Sequence, residues 1–227
     1  LYNRLYSSYP GTRAAIDIAL HDAFTQWLER PLVDFYGRQH QGMITSVTIG
    51  IKDVAATLEE AMEYYDRGFK ALKIKTGLHA AEDAERIIRL REKFGNHFEI
   101  RVDANAGYTL EQLQTFLELV KDQHVELIEQ PLPPGNDHAL EGLPSSVKTK
   151  LAADESLKDA DTALQLVKEG VYGIFNIKLM KCGGITGAFD IACVVRNAGK
   201  KLFWGCNDES CISITAALHA AFACEHT

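Results

Sequence analysis

The chain has 227 residues, 46% of them hydrophobic and 24% charged, which is enough for one large α/β domain with a full core. A net charge of −7 argues against a nucleic-acid or anionic-membrane partner, and no apolar stretch reaches the roughly 18 residues a membrane helix needs. The five cysteines (Cys182, Cys193, Cys206, Cys211 and Cys224) show no C-x-x-C spacing, which argues against zinc or a disulfide framework; they read as small reduced core residues of a cytoplasmic protein.

Residues 11–29 read as an amphipathic helix with Ala14, Ile18, Ala23 and Trp27 on one face, ended by Pro31. From Ile44 the rhythm changes to alternating strands and helices. ITSVTIGI is expected as β1, followed by a helix that Gly68 stops. ALKIK is β2, with a helix over 79–94. FEIRVD is β3, with a helix N-capped by Thr109. VELIEQ is β4, then a Pro-rich loop and a helix near 138–149. KLAAD is β5, with a helix over 158–169. YGIFNIK is β6, with a helix over 184–199. KLFWG is β7, with a helix over 210–223.

Seven β/α units with short loops predict a parallel sheet with helical cover. An open doubly wound sheet is the alternative, but no G-x-G-x-x-G or G-x-x-x-x-G-K-[ST] follows any strand. Polar residues close every strand from β2 to β6, not just one switch point, so a (β/α)₈ TIM-type barrel is favoured. Only β1–β7 are visible. The chain is therefore expected to be a fragment that stops before β8 and opens on the end of an α+β capping domain. The expected division is residues 1–42 for the capping end and 43–227 for the barrel.

Lys75, Asp103, Glu129, Asp154 and Lys178 each close an apolar strand, 24 to 28 residues apart. Chemistry in a parallel barrel sits at that end of the strands. Asp103, Glu129 and Asp154 lie on neighbouring strands about 4.8 Å apart, so three carboxylates converge. Converging negative charge calls for a cation, and all-oxygen ligands suit Mg²⁺, with Mn²⁺ as a substitute. Lys73 and Lys75 share a strand face, and their repulsion is expected to lower a lysine pKa toward that of a general base. In an eight-stranded barrel Lys178 on β6 faces Lys75 on β2. One lysine can then remove an α-proton from a carboxylate substrate while the other returns a proton to the opposite face. Asn105, Glu155 and Glu209 are weaker candidates for contacts to substrate or to the metal ligands. Glu209 reads equally well as a carboxylate at a helix N-terminus. Lys181 falls in the loop after β6. A Schiff-base aldolase using Lys73 or Lys75, or a metal-bearing scaffold without activity, are the readings from other classes.

The stretches ALKIKTG, RVDANAGYT, LIEQPLPPGN, AADES and NIKLMKCGG together resemble the enolase superfamily, in its muconate-lactonizing-enzyme-like subgroup. The resemblance covers nearly the whole chain. It implies Mg²⁺ on Asp103, Glu129 and Asp154, acid/base catalysis by Lys75 and Lys178, and Lys73 as the neighbour that tunes Lys75. NIKLMKCGG is most similar to dipeptide epimerases of the L-Ala-D/L-Glu kind. Muconate-type cycloisomerases, o-succinylbenzoate synthases and N-acylamino acid racemases are the alternatives within the subgroup. The resemblance also implies a homo-oligomer acting on a small dipeptide or carboxylate substrate. The Asp-x-Asp at the end of β8 that dipeptide epimerases use to hold the substrate ammonium group lies beyond this sequence.

Overall fold

The computed structural model describes residues 8–225 and 227. Two compact units emerge: Ile44–Ser156, and Leu1–Met43 together with Leu157–Thr227. In the first, β1 (Ser46–Ile49), β2 (Ala71–Lys75), β3 (Glu99–Asp103), β4 (Val125–Glu129) and β5 (Leu151–Ala153) pair in sequence order, all parallel. Helices α3 (Val54–Asp66), α4 (Ala80–Phe94) and α5 (Leu110–Leu119) provide the crossovers. In the second unit, α1 (Pro10–Trp27) and α2 (Leu32–Tyr36) join α7 (Ala160–Glu169), β6 (Ile174–Ile177), α8 (Leu179–Cys182), α9 (Ile185–Asn197), β7 (Lys201–Trp204) and α10 (Cys211–Phe222). There β6 and β7 also pair in parallel. The architecture is α/β of the TIM-barrel type, running from β1 to β7. Among the described residues no helix is long and apolar enough to cross a membrane.

The strands are apolar because they are covered. Leu72 and Ile74 of β2, Ile100 and Val102 of β3, and Ile87 and Leu90 of α4 are all essentially inaccessible. Burying each such side chain contributes about 1.5–3 kcal/mol. The intervening positions of β2 point to the other face, which places Lys73 and Lys75 together there. Caps set the helix starts: Asp53, Thr109 and Asp159 each accept from the backbone N–H three residues on, and Thr109 and Asp159 do so in reciprocal capping boxes.

Three sequence expectations are corrected. Trp27 is 77% exposed, and Ala23 is exposed as well. A helix turns about 100° per residue, so Trp27 lies roughly 180° from the buried Ile18. The buried stripe runs instead through Ala14, Asp17, Ile18 and Thr25. The single helix expected near 138–149 is a 3₁₀ turn, Asp137–Gly142, and a one-turn helix, α6 (Ser145–Lys148). Pro144 separates them because it lacks the N–H that a continuous helix needs. Among the cysteines, all free, Cys182 and Cys224 are buried but Cys193, Cys206 and Cys211 are exposed.

Candidate active site

Register brings the strand-end charges of the first unit together. Lys75 pairs with Asp103, and Asp103 with Glu129, while Glu129 pairs with Ala152. Asp154 lies two residues past Ala152 and so shares its face. Backbone bonds continue the ladder beyond the strands: Thr76 N donates to Asp103 O at 2.8 Å, and Gln130 N donates to Ala152 O at 2.8 Å. Asp103, Glu129 and Asp154 are all at most 1% exposed. Burying three carboxylates so close together is unfavourable without positive charge beside them.

Lysines supply part of that charge. Lys73 Nζ lies 2.8 Å from Asp103 Oδ2 and 2.7 Å from Glu129 Oε2. Lys75 Nζ donates to Asp103 Oδ2 at 2.7 Å and to Asn105 Oδ1 at 2.6 Å. Burial works against the charge of Lys73, but the carboxylates of Glu129 and Asp103 outweigh it and raise its pKa. The lowering expected from repulsion by Lys75 is therefore corrected for Lys73: two carboxylates at contact distance dominate one neighbouring ammonium. Burial also opposes ionisation of Asp103, yet Lys73 and Lys75 hold its pKa below the usual carboxylate value. Glu129 behaves in the opposite way. Its burial, with the charges of Asp103 and Asp154 beside it, pushes its carboxyl up to about 7 despite Lys73.

Among the described residues, no three acidic, histidine or cysteine side chains stand ready-made as a metal-ligand group. The donor set nevertheless fits a hard divalent cation. It is all oxygen, it is buried, and Lys73 is the cation that two of its members already hold.

The remaining candidates fall into place by element. Asn105 and Glu155 meet: Asn105 Nδ2 donates to Glu155 Oε1 at 3.2 Å. Lys178 closes β6 in the second unit and is 8% exposed. Its stem lies over Gly205 at the end of β7, where an added Cβ would sit 3.1 Å from Lys178 Cε and 2.8 Å from Asn176 Oδ1. Lys181 is half-buried on the one-turn α8. Glu209 is used locally, accepting from Asn207 N at 3.1 Å and from the Ser213 hydroxyl. That is the helix-start role the sequence left open for it.

Several supporting residues were not foreseen. Asp83 Oδ2, fully buried, accepts from Gly77 N at 2.9 Å and from the Tyr108 hydroxyl at 2.7 Å. Arg86 binds Asp83 and also donates to the Lys75 carbonyl at 2.9 Å. This network sits directly behind Lys75. Gln130, 0% exposed, accepts from Asp154 N at 3.0 Å and Ser156 N at 3.1 Å, which fixes the turn carrying Asp154 and Glu155. The available signals were a polar residue directly after the acid in LIEQP and an Asp-x-x-Arg at helical spacing in α4.

The sequence model of the enolase C-terminal domain-like family matches residues 56–227. An L-Lys-D/L-Arg epimerase of Desulforapulum autotrophicum is 48% identical over 99% of this chain and 64% of its own length. A hydrophobic dipeptide epimerase of Enterococcus faecalis is 39% identical over 94% of this chain and 61% of its own length. A crystal structure of the Methylococcus capsulatus dipeptide epimerase, complexed with Mg and the dipeptide L-Arg-D-Lys, superposes with a TM-score of 0.96 at 46% identity, covering all of this chain and 64% of that one. The chain thus spans less than two thirds of the length of each of these relatives.

Proposed function

The chain belongs to the enolase C-terminal domain-like family, in the muconate-lactonizing-enzyme-like part of the enolase superfamily, and on that premise we propose that the protein carrying it is a dipeptide epimerase. One observation carries the reading. Lys75 is held in register with Asp103 and Glu129, at a rim of three buried carboxylates. A proton-transfer group beside an anionic cluster suits abstraction of an acidic α-proton from a carboxylate substrate.

Asp103, Glu129 and Asp154 would hold Mg²⁺, or Mn²⁺ in its place, which supplies positive charge for the substrate carboxylate. Lys75 accepts the α-proton on its Nζ lone pair. The Cα–H bond breaks and its electron pair spreads into the carboxylate. Lys178 donates a proton to the other face of the carbon, and the centre is inverted. For the other epimer the two lysines exchange roles. Lys73, paired with Asp103 and Glu129, keeps those carboxylates in place and adds charge beside Lys75. A single base would suffice for a cycloisomerase or a succinylbenzoate synthase, with the other lysine serving electrostatically, so it is the pairing of two lysines that favours epimerisation.

The favoured substrate is a cationic dipeptide of the Lys-Arg kind, since a relative 48% identical acts on one. The Ala-Glu preference suggested by NIKLMKCGG is the second arm of the test. On the same reading residues 1–42 end a capping domain and 43–227 form the barrel. The five free thiols support a cytoplasmic setting, and self-association is expected.

The test is proton NMR in D₂O with Mg²⁺, offering L-Lys-L-Arg, L-Ala-L-Glu and apolar dipeptides. Exchange of the α-proton with inversion is expected, lost in chelator and in both Lys75→Ala and Lys178→Ala. Absence of exchange with every dipeptide would refute the epimerase reading.

A further inference from the structure

The loop after β3 adopts a conformation that side chains resist. Asn105 and Ala106 both have positive φ, +44° and +60°. Only glycine enters that region freely, and asparagine and aspartate tolerate it best among the others. The loop is nevertheless fixed at four points. Asn105 N donates to Asp103 Oδ1 at 3.0 Å, Ala106 N to Gln130 O at 2.7 Å, Gly107 N to Ala104 O at 2.8 Å and Tyr108 N to Pro131 O at 3.1 Å. Gly77 and Gly107 enclose Ala104 so closely that a Cβ on Gly77 would lie 2.2 Å from the Ala104 carbonyl oxygen and one on Gly107 3.0 Å from it. The strained backbone thus fixes where the exposed Asn105 side chain leaves the loop, and its two side-chain hydrogen bonds orient the amide.

That amide joins two side chains of opposite character. The Lys75 ammonium can only donate and the Glu155 carboxylate can only accept, so with Lys75 protonated the amide presents its oxygen to Lys75 and its nitrogen to Glu155. Its oxygen faces Lys75 Nζ at 2.6 Å and its nitrogen faces Glu155 Oε1 at 3.2 Å. Glu155 Oε2 is buried with no hydrogen-bond donor among the described residues, and the Asn105 amide holds the other oxygen of this carboxylate. We propose that Asn105, oriented by Glu155, is a positioning residue that fixes the direction in which Lys75 gives and takes its proton.

The geometry works through the tetrahedral nitrogen. Asp103 at 2.7 Å and Asn105 at 2.6 Å engage two of the positions around Lys75 Nζ. The third position is left for the reacting proton, or for the lone pair when Lys75 is neutral. Without Asn105 the head group turns about Cε–Nζ and the lone pair is no longer confined to one direction. Misplacing a reacting group by about 1 Å costs on the order of 100-fold in rate.

This inference rests on the two-lysine epimerase reading, and its test separates the two. In Asn105→Asp the new carboxylate still accepts from Lys75 but repels Glu155. The double variant Asn105→Asp/Glu155→Gln restores the pair with donor and acceptor exchanged and the net charge unchanged. Glu155→Ala removes the orienting group without touching the strained loop. We expect epimerisation to fall roughly 10- to 100-fold in Asn105→Asp and in Glu155→Ala. The epimer whose α-proton faces Lys178 should still exchange that proton with D₂O, without inverting, within about threefold of the wild-type rate. The double variant should recover most of the loss. Equal loss of exchange for both epimers, no loss at all, or no recovery in the double variant would overturn the proposal.

A second readout needs no substrate. Lysine-selective NMR should show Lys75 Nζ becoming more mobile in Glu155→Ala and ordered again in the double variant. Unchanged order in Glu155→Ala counts against the positioning role. A wild-type protein silent toward every dipeptide, with Lys75 order responding as stated, counts against the epimerase reading alone.

Discussion

Replacing Asp17 by alanine should destabilise the unit built from α1, α2 and α7–α10. Asp17 lies on α1 and is 7% exposed. Its Oδ2 accepts from Ile185 N at 2.6 Å and Thr186 N at 3.3 Å, and its Oδ1 accepts from the Thr186 hydroxyl at 2.6 Å. The N-cap of α9 is Gly184, which has no side chain to serve those first-turn amides. Asp17 therefore caps α9 from another helix. Losing an N-cap costs about 0.5–2 kcal/mol. A buried hydrogen bond to a charged group contributes about 1.5–3 kcal/mol, and the charge at the helix N-terminus about 0.3–1 kcal/mol. These overlap, so about 3 kcal/mol is expected for Asp17→Ala. That corresponds to a fall in Tm of roughly 6–12 °C for a chain of this size. Asp17→Asn keeps one acceptor oxygen and loses the charge, so about half that loss is expected. Circular dichroism through thermal and urea unfolding measures both. A loss below about 1 kcal/mol in Asp17→Ala, or Asn no better than Ala, would refute the capping argument.

Four other predictions concern pH, packing and metal. Burial opposes the charge of Asp17, but hydrogen bonds from His21 and Thr186 hold its pKa below the ordinary 3.8; the bond to Asp17, against burial, holds His21 above its ordinary 6.5. The Asp17 contribution is thus present above pH 3.8 and lost as pH falls through the lowered value, while that of His21 is complete below pH 6.5 and lost as pH rises through the raised one. The Tm difference between wild type and His21→Gln should therefore be largest between these limits and shrink as pH rises through the raised His21 value. Gly205→Ala places a methyl 2.8 Å from the buried Asn176 Oδ1 and 3.1 Å from Lys178 Cε, so activity should fall about 10- to 100-fold and stability by about 1–3 kcal/mol, as kinetics and calorimetry together will read. Tyr108→Phe removes the 2.7 Å hydrogen bond to the buried Asp83 and should cost about 2 kcal/mol in urea unfolding. Saturating Mg²⁺, at about 100 times its Kd, should stabilise the protein by about 2.7 kcal/mol, and Asp154→Ala should abolish that gain in Tm.

Much of the candidate site is legible in the sequence because a barrel strand is a local object. An apolar run closed by a charge declares both its strand and the end where chemistry belongs, so Lys75, Asp103, Glu129, Asp154 and Lys178 stand out along the chain by themselves. The period of two likewise puts Lys73 and Lys75 on one face. The capping box at Thr109 is equally local.

Distances across the chain decide the rest. The sign of the Lys73 shift depends on two carboxylates arriving within 3 Å of it from β3 and β4, which no spacing along the chain reveals. Trp27 is exposed because the buried face of α1 is chosen by what packs on it, including the α9 amides that Asp17 serves. Gln130, the Asp83–Tyr108 pair and Gly205 matter through close approach to residues from 24 to 29 positions away. Periodicity is a one-dimensional property and falls out of the sequence directly. Coulomb energy, desolvation and steric contact depend on separations in space, and only the folded chain sets those.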